Sequence, residues 1–521
     1  MSTSVQPAPK ADLKAWIAVS ASMIGAFMSI LNIQITNASL LDIEGGIGTG
    51  IDNGAWISTS YLIGEIIVIP LTDYMSRVFS FKRYMIVNTV LFALFSIGCS
   101  FTHDLGSMIV MRGLQGFAGG TLIPMAFTLV LTKLPKPQQP IGLAMFAVAV
   151  TFAPAIGPTI GGYLTDNYGW PWIFYINLVP GAVMLAALWY GLPKQATQLG
   201  LLRQGDWRGI ALMAVGLTAL QTVLDDGNVY DWFGSPFIVN LSLLAAAALG
   251  AFVILEFVTA RPLVNLRLLG RRNFGFGTLG NFLLGFALYG SAYLLPQYLA
   301  VTQGFDSQQA GEVIAWTGLP QLLLIPLVPL LMKRLDARWL VGAGLLVFAA
   351  SCFMNIELDR NYAGPQLLWP NIVRAIGQAL VMTPLSAIAM LGIAPREAGG
   401  ASGLFNMIRN LGGAIGTAAV ETFFTKREQF HSAIITPAVS LLEPATRSRL
   451  AGLQQYFMSH GFPDPASAMH RAIIAVGATI RAQATIMGYA DCFALLGVVL
   501  LVATILVAVL KKGAASGAGA H

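Results

Sequence analysis

Charged residues and cysteines are scarce in this chain of 521 residues. Asp, Glu, Lys and Arg together make up 10% of it, against about 25% in typical soluble domains. Hydrophobic residues make up 56%, and the mean hydropathy is +0.69. Because a water-soluble fold cannot bury this much apolar surface, the composition excludes an ordinary soluble protein and indicates a protein that spans a membrane.

The chain also lacks the patterns of common metal and nucleotide sites. Its three cysteines, Cys99, Cys352 and Cys492, lie far apart with no CxxC pattern, which argues against a disulfide scaffold or a zinc site. No GxxxxGK[ST] sequence occurs, which argues against an ATP-driven pump. The five histidines fall at span edges, in loops or in the tail, which disfavours a membrane enzyme or receptor-like protein. We expect no enzymatic activity, no metal, no cofactor and no nucleic-acid partner.

Apolar runs long enough to cross a bilayer recur along the chain. A spanning helix needs about 20 apolar residues, because each backbone polar group must be satisfied within its own segment. The pattern predicts an all-α integral membrane protein with 14 transmembrane helices. The predicted spans are 15–38, 54–76, 84–101, 108–132, 140–164, 172–192, 208–226, 236–257, 274–300, 310–332, 338–356, 366–392, 400–424 and 486–510.

Lysine and arginine are concentrated in the loops on one side of these spans. With the N-terminus in the cytoplasm, 20 of the 30 fall in inside segments and one, Arg360, in the short outside loops. Arg112, Arg374 and Arg409 lie within spans, and six others lie in a long outside loop at 425–485. A single missed helix would invert every later loop, so the asymmetry predicts that both termini are cytoplasmic.

Two halves of the chain resemble each other. The second and tenth spans end in Ile69-Pro70-Leu71 and Ile325-Pro326-Leu327, each followed by basic residues. The fourth and twelfth spans each contain an arginine, a glutamine and a proline in the same order. These matches predict two six-helix bundles related by an axis along the membrane normal, with two further helices inserted between them.

The predicted domains follow from this repeat. Among them, the long external loop is interpreted either as a small helical cap or as an ordered linker. The domains are a cytoplasmic segment 1–14, an N-terminal bundle 15–193, a linker with two inserted helices 194–260, a C-terminal bundle 261–511 with the external loop at 425–485, and a flexible cytoplasmic tail 512–521.

Four segments rich in small residues lie within or beside spans. They are Arg112 to Gly120, which is followed by Pro124, the proline-containing segments Ala153 to Gly162 and Trp170 to Gly181, and Ala401 to Gly413. Small residues at three- and four-residue spacing let helix backbones approach closely, and prolines permit bending. Together the segments closely resemble the major facilitator superfamily and its fourteen-span drug:proton antiporter branch, the EmrB/QacA type. The second segment resembles the antiporter motif of that superfamily, with its hinge and packing residues at Pro154, Gly157, Pro158, Gly161 and Gly162.

The chain departs from this branch at two places. The first span of the branch carries a carboxylate in a pattern like Leu-Asp-x-Thr-Ile-x-Asn, whereas this chain has Asn32 at that position. An amide cannot carry a proton. The loop after the second span keeps its basic residues, but its Asp and Gly are displaced or replaced around Asp73, which puts the usual cytoplasmic latch in doubt.

Ionisable residues inside a span are costly unless they are paired or face water, so each is a functional candidate. Glu65, near the middle of the second span, is the best candidate for the proton carrier, with Arg112 as its partner or modulator. A purely structural Glu65–Arg112 pair is the alternative. Glu312, Glu421 and Asp491 lie near span ends, where a solvated or capping carboxylate is the preferred interpretation.

Polar and aromatic residues on several spans are candidates for lining a substrate cavity. Hydrogen bonds between helices, or aromatic side chains at the membrane interface, are the alternative explanations. The candidates are Asn32, Thr36, Tyr61, Gln115, Tyr289, Tyr293, Trp316, Arg374, Gln378, Asn406, Arg409 and Asn410.

The resemblance implies a function. We expect a proton-coupled antiporter in the bacterial inner membrane that exports amphipathic or cationic drugs and toxic small molecules by alternating access. The alternative is an uncoupled or differently coupled facilitator or exporter of a specific metabolite or fatty acid. Its partners would be the substrate, protons and membrane lipid, and the resemblance leaves open a periplasmic adaptor with an outer-membrane channel.

The charge asymmetry generates a topological prediction. A reporter fused within 194–206, within 261–272 or after residue 511 is expected to be cytoplasmic, because the flanking basic residues stay inside. A reporter fused within 430–480 is expected to be external. Paired phosphatase and fluorescent-protein fusions in intact cells measure both sides. A cytoplasmic signal from 430–480 contradicts the fourteen-span topology.

Overall fold

The fold was taken from a computed structural model that describes residues 11–49, 51–259, 262–394 and 396–511. Residues 1–10 of the predicted cytoplasmic segment and the predicted flexible tail 512–521 lie outside the described residues. The described part of the chain consists of helices, turns and loops, with no strand. This agrees with the predicted all-α class and follows from the apolar environment, in which a helix satisfies its own backbone hydrogen bonds.

Twenty α-helices occur among these residues. Several predicted spans comprise two or three consecutive helices, because glycines and prolines interrupt the backbone ladder. The helices are α1 (Leu13–Ala38), α2 (Leu40–Ile47), α3 (Ile51–Phe79), α4 (Phe81–Ser100), α5 (Leu105–Gly119), α6 (Leu122–Lys133), α7 (Gln139–Tyr168), α8 (Trp172–Tyr175), α9 (Leu178–Gly191), α10 (Trp207–Asp226), α11 (Pro236–Val258), α12 (Arg272–Gln303), α13 (Ser307–Ala315), α14 (Leu319–Leu324), α15 (Val328–Arg334), α16 (Ala337–Met354), α17 (Gly364–Ala389), α18 (Ala398–Ala438), α19 (Pro444–Ser459) and α20 (Pro465–Ala508).

Eleven helical segments of the described chain are long and apolar enough to cross a membrane. The count becomes twelve when Gln139–Pro154 and Ile156–Tyr168, bent by 46° relative to each other, are taken as one span. The other two predicted spans correspond to α3 and α18, which are long helices with more polar residues. The positions of all fourteen predicted spans therefore coincide with helices, and the number that cross the bilayer stays a prediction.

The same helix pairs form in both halves of the chain. In the first half α1 packs on α7 and α9, and α4 packs on α5 and α9. In the second half α12 packs on α18 and α20, and α16 packs on α17 and α20. Both bundles thus repeat one arrangement, as the sequence repeat predicts. The exact domain boundaries stay a prediction.

Glycines mark the corresponding helix crossing in each bundle. A β-carbon placed on Gly161 of α7 would lie 2.9 Å from the carbonyl oxygen of Ile35 on α1, and one on Gly157 would overlap Gln34. In the second bundle, a β-carbon on Gly416 of α18 would lie 2.5 Å from the carbonyl oxygen of Phe286 on α12. At both crossings the backbones of two helices are in direct contact. This contact adds dispersion attraction between the helices, which is needed because no hydrophobic effect drives helices together in lipid.

The inserted helices α10 and α11 pack on each other, and α10 also contacts α3 of the first bundle and α18 of the second. The loop after α10 holds α18 through side-chain hydrogen bonds. Trp232 Nε1 donates to Thr422 Oγ1 at 3.0 Å, and Asn228 Nδ2 donates to Glu421 Oε1 at 3.4 Å. The inserted pair therefore bridges both bundles along one side of their interface.

The segment 425–485 forms helices over most of its length, which favours the helical-cap interpretation. Helix α18 has 41 residues and is about 60 Å long, twice the thickness of the hydrocarbon core of about 30 Å. It packs on α20, and Asp491 of α20 accepts hydrogen bonds from Arg427 and lies 2.6 Å from His431 Nε2. Asp491 is thus paired at the base of the cap, and Glu312 is exposed.

The glycine crossing of the first bundle generates a prediction. The resemblance makes Gly157 and Gly161 hinge residues, and in this fold they pack against α1 of their own bundle. Leucine at either position is expected to force α1 and α7 apart, to lower the free energy of unfolding by about 1–3 kcal/mol and to abolish export. Thermal unfolding of the purified protein and a drug-export assay measure the two effects.

Gly250→Leu is the matched control. A β-carbon on Gly250 of α11 meets nothing within 4 Å. This variant is expected to keep the melting temperature and export of the wild type. If Gly157→Leu or Gly161→Leu has the same melting temperature as the Gly250→Leu control, the result contradicts the close packing of α7 on α1.

Candidate functional site

A cavity lies between the two bundles. Its wall in the first bundle includes Gln34 of α1 and Pro154 and Pro158 of α7, and its wall in the second includes Tyr289 of α12 and Arg374 of α17. About 40 Å³ is open to the centres of water molecules, which is room for a few waters. Because sites for drug-sized ligands measure about 300–1,000 Å³, the bundles are closed around the cavity in this conformation.

The predicted cavity residues fall into three groups. Tyr289, Arg374 and Gln378 line the cavity. Asn406, Arg409 and Asn410 lie on α18, where it packs against the first bundle. The others lie elsewhere: Asn32, Thr36, Tyr61 and Gln115 are buried within the first bundle, Trp316 is 44% exposed, and Tyr293 interacts with Glu421 beside the inserted helices.

Arg112 is completely buried in a polar network of the first bundle. Its Nε donates to the carbonyl oxygen of Ile57 at 3.1 Å, and its Nη1 donates to Asn32 Oδ1 and to Gln115 Oε1. The guanidinium lies 4.5 Å from the ring centroid of Tyr61. Within the described chain no carboxylate pairs with it. The cation is therefore held by neutral acceptors and an aromatic face, which leaves its charge uncompensated.

Glu65 of α3 lies at the contact between the two bundles. It is 4% exposed, and its Oε1 accepts a hydrogen bond of 3.0 Å from Asn410 Nδ2 of α18. Arg409 lies within electrostatic range of the same carboxyl group, and so does Tyr289. The structure thus pairs Glu65 with α18 of the other bundle. The alternative considered above, a structural Glu65–Arg112 pair, is not seen in this structure, where Arg112 bonds to Ile57, Asn32 and Gln115.

Several polar atoms at this contact have no hydrogen-bond partner among the residues that the structure describes. They include Glu65 Oε2, Asn410 Oδ1 and two nitrogens of Arg409. Buried polar groups without partners are costly. These donors and acceptors are free to take other partners, including water, at the contact between the bundles.

A second contact between the bundles lies nearer the helix ends that the basic loops predict to be cytoplasmic. Ser402 Oγ of α18 donates to the carbonyl oxygen of Pro124 at 3.2 Å. Asp73 of α3 forms an ion pair of 2.9 Å with Arg77 and lies against Gly399 in the first turn of α18. The amino end of a helix favours a negative charge. The displaced aspartate of this loop therefore still contacts the opposite bundle.

Sequence reasoning missed two of these positions, Gln34 and Gln321. Gln34 lies two residues after Asn32 in the first span, and its position at the cavity depends on how α1 is rotated against its neighbours. Gln321 of α14 donates through Nε2 to Gln378 Oε1 at 2.8 Å. Gln321 could have been identified from the sequence as a polar residue within an apolar span. Asp73 was noticed only as a departure from the family pattern.

Comparisons with known proteins agree with this arrangement. Residues 22–417 match the family described as Major Facilitator Superfamily. The chain is 30% identical over 499 residues to the "Colistin resistance protein EmrB" of Acinetobacter baumannii, covering 96% of this chain and 97% of that protein. It is 32% identical to the "Multidrug export protein EmrB" of Escherichia coli (strain K12), with 82% and 85% covered.

Two further similarities extend over nearly the whole chain. The "Fatty acid resistance protein FarB" of Neisseria gonorrhoeae is 29% identical over 516 residues, with 99% of each protein covered. The structure of the human organic anion transporter MFSD10 (TETRAN) superposes with a TM-score of 0.59 at 14% identity, covering 95% of this chain and 99% of that one. The second similarity bears on the fold alone.

The protein is a multi-pass membrane transporter rather than an enzyme, as the fold and the family match establish. It belongs to the Major Facilitator Superfamily, and within that superfamily to the relatives of the EmrB-type multidrug exporters.

The uncompensated Arg112 generates a prediction. Asn32→Asp places a carboxylate where the amide oxygen now accepts from Arg112, and a charge-assisted hydrogen bond is roughly twice as strong as a neutral one. The variant is expected to melt at a higher temperature than the wild type at neutral pH. Thermal unfolding of the purified protein measures this.

Asn88→Asp is the matched control. Asn88 is also buried, but its Nδ2 donates to the carbonyl oxygen of Tyr84 at 2.8 Å. A carboxylate there faces a carbonyl oxygen and is expected to lower the melting temperature. Destabilisation of equal size by both substitutions contradicts the view that Arg112 lacks a counter-charge.

Proposed function

We propose that this protein is a proton-coupled exporter that moves amphipathic or cationic toxic small molecules out of the cytoplasm in exchange for protons. The bond between Glu65 and Asn410 carries the proposal, because it places a buried titratable group at the contact between the two bundles. The names of the EmrB relatives supply the expected drug substrates. Glu65 is proposed as the proton carrier and Arg409, rather than Arg112, as the cation that senses its charge.

The coupling follows from the cost of burying a charge. When the bundles close over Glu65, the carboxyl group leaves water, and the protonated, neutral form is the less costly one to bury. When they separate, the group meets water again and releases its proton. Protonation therefore biases the equilibrium between closed and open forms. One elementary charge moving inward across 100 mV supplies about 2.3 kcal/mol to drive the cycle.

Alternating access accounts for the closed cavity. The present space holds only a few waters, so a substrate requires the bundles to part on one side. The bundles meet along two contacts, one of α18 with α3 and α6 and the other of α7 with α13, α14 and α15. Export then consists of rocking one bundle against the other, so that the cavity opens to one face of the membrane at a time.

The proposed setting is the inner membrane of a bacterium with both termini in the cytoplasm. The basic residues of the inside loops support this orientation. The helical cap of α18, α19 and α20 would then lie in the periplasm, where it is available to a periplasmic adaptor leading to an outer-membrane channel. This partnership rests on the resemblance to the EmrB type.

A second candidate is the export of a fatty acid or specific metabolite with different coupling or none. The similarity to the FarB protein over 99% of both chains favours it, and so does the absence of the first-span carboxylate at Asn32. Accumulation of substrate in energised inverted vesicles separates the candidates. An uncoupler is expected to abolish accumulation by an antiporter and to leave equilibration by a facilitator unchanged.

The proton role of Glu65 generates a prediction. Glutamine keeps the size of the side chain and an oxygen that accepts from Asn410, but it removes the titration. A compound is first chosen from a toxicity panel in a pump-deficient strain. On adding it to purified protein in weak buffer, the wild type is expected to release protons and Glu65→Gln is expected to bind the compound without proton release.

Glu256→Gln is the control for this experiment. Glu256 is a buried carboxyl group on α11 that accepts from the backbone of Val264, away from the contact between the bundles. Its variant is expected to release protons like the wild type. Equal release from wild type and Glu65→Gln moves the proton site elsewhere and leaves Glu65 as a structural partner of Asn410.

A further inference from the structure

We infer that the cavity between the bundles selects amphipathic substrates that carry an anionic group, such as a carboxylate, and that Arg374 binds this group. The inference rests on the proposed function in that it takes the cavity as the transport site. It narrows the amphipathic or cationic substrates of the proposed function to amphipathic anions, and it names the residue that binds the negative charge.

Arg374 is a buried cation that lacks a counter-charge. It is 8% exposed and lines the cavity from α17. Its one hydrogen bond is long, 3.5 Å from Nη1 to the carbonyl oxygen of Ser291, and its Nε has no partner in the described chain. The ring of Phe348 lies 5.9 Å from the guanidinium carbon. These contacts hold the side chain in place but leave its charge and one donor unused.

A second unused donor lies one helical turn away. Gln378 also lines the cavity, and its Oε1 accepts from Gln321 Nε2. The same Gln321 nitrogen donates to the carbonyl oxygen of Thr317, and this fixes the orientation of both amides. Gln378 Nε2 is therefore a donor without a partner. Residues four apart share one face of a helix, and both Arg374 and Gln378 line the cavity.

The rest of the cavity wall, as far as the structure describes it, has no charged group that would pair with a cation. It consists largely of apolar side chains, including Leu288 and Ile314, and contains no carboxylate. Glu65 lies beyond Tyr289 and already accepts from Asn410, with Arg409 beside it. A cationic substrate would meet Arg374 without a compensating charge, which disfavours its binding. A carboxylate would gain a charge-assisted hydrogen bond from Arg374 and a second bond from Gln378.

The test compares three fluorescent probes that share one apolar body and differ in charge: 1-pyrenebutyrate, 1-pyrenebutanol and pyrenebutyl-trimethylammonium. Binding to the purified protein in lipid nanodiscs is measured at one pH with no gradient, so the result does not depend on proton coupling. We expect the wild type to bind the butyrate at least tenfold more tightly than the trimethylammonium probe.

Variants assign that preference to Arg374. Arg374→Gln is expected to abolish the preference while still binding the neutral butanol, which shows that the cavity is intact. Arg374→Lys keeps the charge and is expected to retain most of the preference. Arg360→Gln removes an exposed arginine from an external loop and is expected to behave like the wild type.

Two outcomes overturn the inference: equal or tighter binding of the cationic probe by the wild type, or an unchanged preference in Arg374→Gln. Failure of the proposed function looks different. If the butyrate binds through Arg374 but causes no proton release that depends on Glu65, then the anion site stands and the coupling mechanism is wrong.

Discussion

The fold depends on one constraint, which is that backbone polar groups have no water to bind inside a bilayer. Each spanning segment must satisfy its own hydrogen bonds, so the described chain consists of helices and contains no strand. Lipid tails are as apolar as the helix surfaces, so packing contacts must hold the helices together. The glycines at the crossings of α7 with α1 and of α18 with α12 provide such contacts at corresponding places in the two bundles.

The same constraint makes each buried polar side chain informative, and the two arginines at corresponding spans illustrate this. Arg112 is enclosed within the first bundle, where Asn32, Gln115 and Ile57 accept its hydrogen bonds. Arg374 lines the cavity between the bundles and has a single long hydrogen bond. One position of the repeat thus bonds to neighbours inside a bundle, and its counterpart lines the cavity between the bundles.

Glu65 connects the two bundles in a way that suits a reversible contact. A hydrogen bond from Asn410 costs little to break when water can replace it, whereas a network such as that of Arg112 would be costly to open. The inserted helices add a bridge beside this contact, because α10 packs on both α3 and α18. The two bundles are therefore joined by the packing of α18 on α3 and α6 and of α7 on α13 and α17, by a few polar bonds, and by α10, which touches both bundles.

The sequence by itself determined the class of the protein and the position of its helices. Apolar runs, basic loops, and the glycine and proline motifs around Arg112 and Gly157 are local features, and the bilayer allows them few alternative structures. Glu65, Arg374 and Gln378 were also identifiable, because polar groups inside a span are costly.

Only the tertiary structure decided the partners of these residues. Glu65 bonds to Asn410 rather than interacting with Arg112, Gln34 lines the cavity, and Asp73 contacts α18. Each of these contacts depends on how helices that are far apart in the chain are rotated and packed against one another. Hydrophobic periodicity does not specify that rotation where both neighbouring helices and lipid present apolar surfaces.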